Sequence, residues 1–123
     1  PRGPVMSAID DLIAAVEAPD TNWYHFPELC ENAFGECART ESIRSAYMGS
    51  LDAGLGLHEA LLPGTSQYSI VTDPTCLCVK VAWWPKGLCG GVEIQGEGWD
   101  EGNPARAWLL AILRALKSQE GRE

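Results

Sequence analysis

Three carboxylates lie within five residues of one another, at Glu97, Asp100 and Glu101. Oxygen ligands of this type bind hard cations, and a pair of carboxylates can act as general acid and base in a hydrolysis. The spacing of an EF-hand loop is absent, and the same acids suit the positive end of a following helix. A solvated acidic loop is therefore the commoner interpretation, and a small metal-assisted hydrolase using these three acids is the alternative.

Arg106 stands at the third position of the helix predicted to follow this loop. A cation so close to a helix amino terminus works against the helix dipole. The position therefore predicts an ion pair with Glu97, Asp100 or Glu101, or binding of an anionic group of a ligand.

The chain has five tryptophans in 123 residues, more than ordinary core packing requires. Trp83, Trp84 and Trp99 fall at or beyond predicted strand ends near glycine-rich turns. An indole offers flat stacking area together with an N–H donor, and core packing accounts for at least one of the three. The surplus predicts an aromatic platform for a ligand or a hot spot for a partner. The ligand-binding candidates are Trp84, Trp99, Arg106 and Trp83.

Familiar catalytic and cofactor motifs are absent from the sequence. The stretch Gly96–Gly102 (GEGWDEG) lacks the glycine spacing of a Rossmann or P-loop motif and is acidic where a phosphate would sit. There is neither a G-x-S-x-G nor an H-E-x-x-H motif, and His25 and His58 lie far apart. His58 falls on an apolar helical stripe, which favours a hydrogen-bonded core residue over a catalytic base. We therefore expect no catalytic residue and no cofactor.

The five cysteines are an odd number, and no signal peptide or apolar span accompanies them. This pattern predicts free thiols in a reducing compartment, and hence a cytoplasmic protein. Cys76 and Cys78 have the wrong spacing for a zinc knuckle, and Cys30 and Cys37 have no histidine at finger spacing. We expect no metal.

The formal net charge of −8 disfavours nucleic acids and anionic membranes as direct partners, because both bind through lysine and arginine. Between Met6 and Ala38 there are seven acids and no lysine or arginine. Such a run is usually a solvated face, although it can also meet a basic partner. The candidates for such a partner surface are Asp10, Asp11, Glu17, Glu28 and Glu31.

The candidate site residues must be positioned by a folded domain. The length of 123 residues and the hydrophobic content of 46% predict one globular domain. Pro1–Val5 resembles the remnant of a cleaved tag, which leaves residues 6–123 as that domain. The best-marked element is a helix from Asn103 to Lys117, with Asn103 as cap and Pro104 at its first position. Its predicted buried positions are Ala105, Trp108, Leu109, Ile112, Leu113 and Leu116.

The first half of the chain is predicted to be helical. Ser50 caps a helix whose apolar stripe is predicted to include Leu51, Leu55, His58 and Leu62, and whose glycines suggest a contact surface. The predicted segments are a helix Ser7–Ala18 with Ser7 and Asp10 in capping-box positions, an aromatic loop Asp20–Pro27, a helical stretch Pro27–Tyr47 and a helix Ser50–Leu62.

Between these helices the pattern predicts an antiparallel meander of three or four strands. In the middle strand Leu77, Val79, Val81 and Trp83 share the predicted core face, and Cys76, Cys78, Lys80, Ala82 and Trp84 the other. The fold class is α+β, an α-β-α arrangement with helices before and after the sheet. Three strands leave edges, so we expect a homo-oligomer formed through a sheet edge, the glycine-bearing helix or the open sheet face. The predicted strands are Gln67–Thr72, Cys76–Trp84 and Gly91–Gln95.

The segment from Tyr47 to Glu120 contains SLDAGLGLHEALLPG, then strands rich in valine and tryptophan, then GNPARAWLLAILRALKSQE. In this order, these motifs resemble those of small phage and prophage proteins with an α-β-α (ABA) sandwich domain. The resemblance rests on caps and core positions, so it implies fold and phage origin more than activity. It implies an accessory protein and carries no catalytic motif. The host cytosol would then be its location.

Two classes of function follow. The favoured one is a non-catalytic phage or prophage binding protein that counters host defence. It would sequester a small signalling nucleotide in a pocket between subunits, or present its acidic surface to a host defence protein that handles nucleic acid. The other class is the hydrolase described above.

Overall fold

The structure is a computed structural model that describes residues 8–17, 26–34, 40–72, 77–87, 93–100 and 103–120. Within these residues there are five helices and a three-stranded antiparallel sheet, an α+β fold with helices before and after the meander, as predicted. The chain divides into two compact units, residues 1–40 and residues 41–123. The single domain over residues 6–123 stays a prediction, and the predicted tag remnant at residues 1–5 lies outside the described residues.

The first unit contains two helices, α1 (Ala8–Glu17) and α2 (Phe26–Phe34). The sequence pattern predicts one apolar face for α1, formed by Ile9, Leu12, Ile13 and Val16; three of these are buried and Ile13 is half-buried. Ser7, the predicted cap, and most of the predicted loop Asp20–Pro27 lie outside the described residues. The end of that loop is instead the start of α2.

The second unit begins with a helix that the sequence did not separate from the preceding one. The helical stretch predicted from Pro27 to about Tyr47 corresponds to two described helices, and residues 35–39 between them lie outside the described residues. In the second of these, Ile43, Ala46 and Tyr47 are buried. The elements of the second unit are α3 (Thr40–Met48), α4 (Leu51–Leu61), β1 (Thr65–Thr72), β2 (Leu77–Trp84), β3 (Ile94–Asp100) and α5 (Pro104–Glu120).

Helix α4 begins as predicted, since the Ser50 hydroxyl accepts a hydrogen bond from the backbone N–H of Ala53 at 3.1 Å. Its predicted stripe is partly wrong: Leu51 and Leu55 are exposed, while His58 is buried. The reason is Gly54, where an added Cβ would lie only 3.0 Å from Cε3 of Trp108. The missing side chain lets the indole approach the helix, so the packing face is centred on this glycine.

The sheet is a meander in the order β1-β2-β3, and β2 pairs antiparallel with both neighbours. The predicted core face of β2 is confirmed by the burial of Val79, Val81 and Trp83, and Leu77 is half-buried. The third strand exists as predicted, but its bounds of Gly91–Gln95 are wrong, because the observed strand extends to Asp100 and takes up most of the predicted acidic loop.

Two glycines explain why a GEG sequence forms a strand here. A Cβ on Gly96 would lie 2.1 Å from the carbonyl oxygen of Ala111, and one on Gly98 would lie 2.0 Å from that of Ala107. Both distances are far below any real contact, so only glycine permits helix α5 to cross β3 this closely. Glycine in a strand often marks such a close backbone approach.

Helix α5 is the central element of the second unit. Asn103 caps it as predicted, its Oδ1 accepting a hydrogen bond from the backbone N–H of Arg106 at 3.0 Å. The predicted buried positions are confirmed except Leu116, which is half-buried. Within the described part of the chain, no helix is long and apolar enough to cross a membrane.

Candidate functional site

One face of the sheet is free of the helices that pack on the other. Helix α5 crosses the face that carries Gly96 and Gly98, and α4 reaches the same face because His58 contacts Ser66 and Tyr68. Strand alternation directs the remaining side chains to the opposite side, which we call the open face. The open face carries Thr65, Gln67, Ser69 and Val71 from β1, Cys78, Lys80, Ala82 and Trp84 from β2, and Gln95, Glu97 and Trp99 from β3.

The strand register arranges these side chains in rows across the sheet. Trp84 belongs to the first row and Trp99 to the last. Since two residues advance a strand by about 6.6 Å, four rows extend over about 20 Å, with an indole near each end. The rows are Thr65–Trp84, Gln67–Ala82–Gln95, Ser69–Lys80–Glu97 and Val71–Cys78–Trp99.

A groove of about 370 Å³ lies among these rows, within the usual range of roughly 300–1,000 Å³ for small-ligand sites. Ala82 has the smallest side chain of β2 on this face, so it leaves space between the amides of Gln67 and Gln95, which oppose it on the two neighbouring strands. Trp84 lines one end. The groove therefore combines an aromatic wall with two amides that can donate and accept hydrogen bonds.

The groove is weakly acidic. Among its described lining residues, Lys80 is the only cation, against the two carboxylates of Glu93 and Glu97, which gives a formal sum of −1. Lys80 Nζ lies 3.7 Å from Glu97 Oε1, and the Gln95 amide donates a hydrogen bond to Glu93. The lysine–glutamate pair is 59% and 42% exposed, so it contributes little to stability and can exchange for contacts with a ligand.

Trp99 stands at the margin of the open face, where it is 53% exposed. Arg114 extends from α5 round the outer edge of β3, and its Nη1 donates a hydrogen bond to the Glu97 carbonyl at 2.7 Å. Its guanidinium carbon lies 5.6 Å from the centroid of the Trp99 ring, within the range of a cation–π interaction. The arginine thus holds the indole and covers part of the edge of β3.

Trp83 is not on the open face. It is 3% exposed on the helix-bearing face, and its Nε1–H donates a hydrogen bond to the Pro63 carbonyl at 2.8 Å. The structure therefore brings two of the predicted ligand-binding tryptophans to one surface and assigns Trp83 to the core.

Arg106 also lies away from the groove. Its Nε donates to the Tyr47 carbonyl at 3.1 Å, and its guanidinium carbon sits 4.1 Å above the Tyr47 ring. Its Nη1 lies 3.7 Å from Asp100 Oδ2, which is one of the ion pairs predicted for it. Asn103 Nδ2 donates to the same Tyr47 carbonyl at 3.2 Å, so these contacts join the end of α3 to the start of α5.

The acidic loop predicted for the alternative hydrolase does not form one site. Glu97 lies on the open face, whereas Asp100 lies on the helix-bearing face and accepts a hydrogen bond from the backbone N–H of Asn103 at 2.9 Å. Glu101 lies outside the described residues. Over the described ranges, no three histidine, cysteine, aspartate or glutamate side chains gather closely enough to hold a metal ion.

A serine–histidine pair that the sequence did not indicate lies between α4 and β1. His58 Nε2 is 2.9 Å from Ser66 Oγ, and Trp108 Nε1–H donates to His58 Nδ1 at 3.3 Å. Because Nδ1 accepts, the neutral ring carries its proton on Nε2 and donates it to the serine. A base that activates a serine must accept that proton instead, so the pair is structural. No sequence motif links residues 58 and 66.

Burial lowers the pKa of His58 below its usual value, and the nearby charge of Glu59 opposes this only in part. Near pH 6.5 the His58 imidazole is therefore protonated more in the unfolded chain than in the folded chain, so stability falls as the pH drops through that value. Between pH 7.5 and 5.5 we expect the free energy of unfolding to fall as the pH drops, with a slope below the one-proton limit of about 1.4 kcal/mol per pH unit. Urea unfolding at several pH values measures it.

The comparison is best made in a His25→Gln background, which removes the only other imidazole. Adding His58→Gln should flatten the dependence over this range while lowering stability at every pH. A slope that survives in the double variant would contradict the assignment to His58.

The acidic partner-surface candidates lie on the two helices of the first unit. Asp11, Glu17, Glu28 and Glu31 are exposed, and Asp10 is half-buried. Among the described cysteines, neither Cys30 nor Cys78 is in a disulfide, as predicted; the first is buried and the second is half-buried on the open face. Cys37, Cys76 and Cys89 lie outside the described residues.

Comparisons with known proteins do not extend this picture. No protein-family model matches the chain, and searches of curated proteins and of solved structures find no match. The resemblance to phage ABA sandwich proteins therefore stays a prediction, and the functional argument rests on the geometry of the open face.

Proposed function

We propose that this protein is a non-catalytic binding protein whose open sheet face receives a basic protein partner. The observation that carries the proposal is the presence of two indoles on one sheet face. The half-buried Trp84 lines one end of a polar groove of about 370 Å³, and Trp99, which is 53% exposed, lies one row beyond the lining residues at the other end. Tryptophan is enriched among interface hot spots, and a surrounding polar rim is the usual anatomy of such a surface.

Charge selects the class of partner. The chain carries a formal charge of −8, and the groove itself has an excess of carboxylate over ammonium. A basic partner gains from this field during encounter, whereas an acidic one is repelled. An arginine of the partner can take the place of Lys80 beside Glu97 and stack on an indole.

The nucleotide-sequestering variant has less support. It needs an arginine in the pocket, but Arg106 is held by the Tyr47 carbonyl and Asp100. It also has to bring phosphate next to Glu93 and Glu97, which are like charges. The groove suits a nucleobase better than its phosphates.

The resemblance to phage proteins gives the partner a biological class. A phage accessory protein that acts against host defence would bind a defence protein, and one that handles nucleic acid has the required basic surface. Two features favour binding over catalysis. Nε2 of His58 carries the ring proton, so it donates to Ser66 and does not act as a base, and Glu97 and Asp100 lie on opposite faces of the sheet.

The test begins with native mass spectrometry of the protein purified from a bacterial host, followed by identification of any bound component. With a basic protein found, we expect Trp84→Ala and Trp99→Ala each to weaken its binding by about 2 kcal/mol, or roughly thirtyfold, in calorimetry. Leu55→Ala is the matched control, because Leu55 is an exposed apolar residue on α4 rather than on the open face. A bound nucleotide, or affinity unchanged in both tryptophan variants, would refute the proposal.

A further inference from the structure

Strand β1 is an unprotected edge of the sheet. Among the described residues it pairs only with β2, along its whole length of eight residues. One side of its backbone therefore presents a row of N–H and C=O groups to which another extended strand can bind. Its sequence, TSQYSIVT, contains no proline and no charge, which are two of the features with which natural edge strands avoid such pairing.

The other edge of the sheet is different. On β3 the Glu97 carbonyl already accepts a hydrogen bond from Arg114. The strand also carries Glu97 and Asp100 and is interrupted by two glycines that are needed under α5. An incoming strand would have to displace the arginine and approach carboxylates, so β1 is the favoured edge.

The exposed side chains of β1 also lack cover. Tyr68 and Ile70, on the helix-bearing face, are 47% and 38% exposed, and Val71, on the open face, is 53% exposed. A neighbouring strand would cover all three of these large apolar side chains, since cross-strand pairs form on both faces of a sheet.

We propose that two copies of the chain associate through antiparallel pairing of their β1 strands about a two-fold axis, forming a continuous six-stranded sheet. Charge favours a second copy of this chain as the partner that pairs with β1. Every other described helix and strand carries at least one charged side chain. In a chain of net charge −8, β1 is therefore the one described element that can pair with the same element of a second copy without placing charged side chains next to each other.

Pairing through β1 selects the sheet edge among the three oligomer interfaces expected from the sequence, which were a sheet edge, the glycine-bearing helix and the open sheet face. The glycine-bearing helix is already used inside the chain, because Trp108 packs on Gly54. A two-fold axis perpendicular to the sheet places both open faces on the same side of the dimer. Gln67 and Ser69, which line the groove, would then lie beside the β1 strand of the second copy, and the two grooves would form one extended surface.

Sedimentation equilibrium tests the pairing with charge-reversal variants at Ser69. In registers centred on Tyr68, Ser69 or Ile70, the Ser69 side chains of the two copies lie opposite or diagonal to each other, within about 8 Å. We expect a wild-type dimer, at least tenfold weaker self-association for Ser69→Lys and for Ser69→Glu alone, and recovery of a heterodimer when the two variants are mixed. Recovery on mixing separates loss of pairing from loss of folding.

The same pair of substitutions at Gln95, which is exposed on the open face of β3, is the control and should leave the dimer intact. A wild-type chain that stays monomeric at millimolar concentration would overturn the proposal. So would self-association that Ser69→Lys leaves unchanged, or that the Gln95 variants abolish.

Discussion

Replacing Gly98 by alanine is expected to lower the free energy of unfolding by about 3 kcal/mol or more, at the upper end of overpacking effects. The added methyl would lie 2.0 Å from the carbonyl oxygen of Ala107 and 2.8 Å from the backbone nitrogen of Ala111. Both are backbone atoms of a helix, which cannot rotate away as a side chain can. The helix would have to lift off the strand and break contacts along the core, so Gly96→Ala should behave in the same way. Urea unfolding followed by circular dichroism measures the loss.

Two substitutions control for this experiment. Gln95→Ala changes an exposed residue of the same strand and should cost less than about 1 kcal/mol, as surface changes usually do. Gly56→Ala changes a helical glycine with no atom within 4 Å of the added Cβ, and should stabilise the chain by up to about 1 kcal/mol. If Gly98→Ala were as stable as Gln95→Ala, the close crossing of α5 over β3 would be incorrect.

Replacing Trp108 by alanine should cost about 3–5 kcal/mol, because it removes a large buried side chain and leaves a cavity. The indole is 3% exposed, lies 4.4 Å from the Tyr68 ring and 5.8 Å from the His58 ring between centroids, and donates its N–H to His58. Trp108→Phe should cost less, since most of the apolar area remains and only the hydrogen bond is lost. Chemical denaturation of both variants gives the two costs.

A double-mutant cycle with Gly54 tests the contact directly. In the wild type, Gly54→Ala places a methyl 3.0 Å from the indole, so the usual gain in helix propensity should be lost. In the Trp108→Ala background the same change meets a cavity and should stabilise the chain by about 1 kcal/mol. Equal effects of Gly54→Ala in the two backgrounds would show that the residues do not interact.

The predictions from sequence succeeded where a local pattern is sufficient to decide the structure. The cap at Asn103, the buried stripe of α5 and the alternating core face of β2 each follow from residues a few positions apart. The cap is confirmed, and the stripe and the core face are confirmed apart from the half-buried Leu116 and Leu77. Ser50 as the cap of α4 belongs to the same class. In each case the information lies within one element.

The predictions failed where two distant segments meet. The stretch around Gly96 and Gly98 has the composition of a loop, and it is a strand only because α5 crosses it closely. Leu51 and Leu55 fit a helical stripe, yet they are exposed because the indole of Trp108 selects the face centred on Gly54. Local propensity does not contain either contact.

The candidate site divides in the same way. The sequence identified tryptophans in excess of core needs and an acidic chain, and these properties depend on composition alone. Only the tertiary structure decided that Trp84 and Trp99 share the open face while Trp83 is buried and Arg106 binds Tyr47, because strand register and helix packing are set by contacts between residues far apart in the chain.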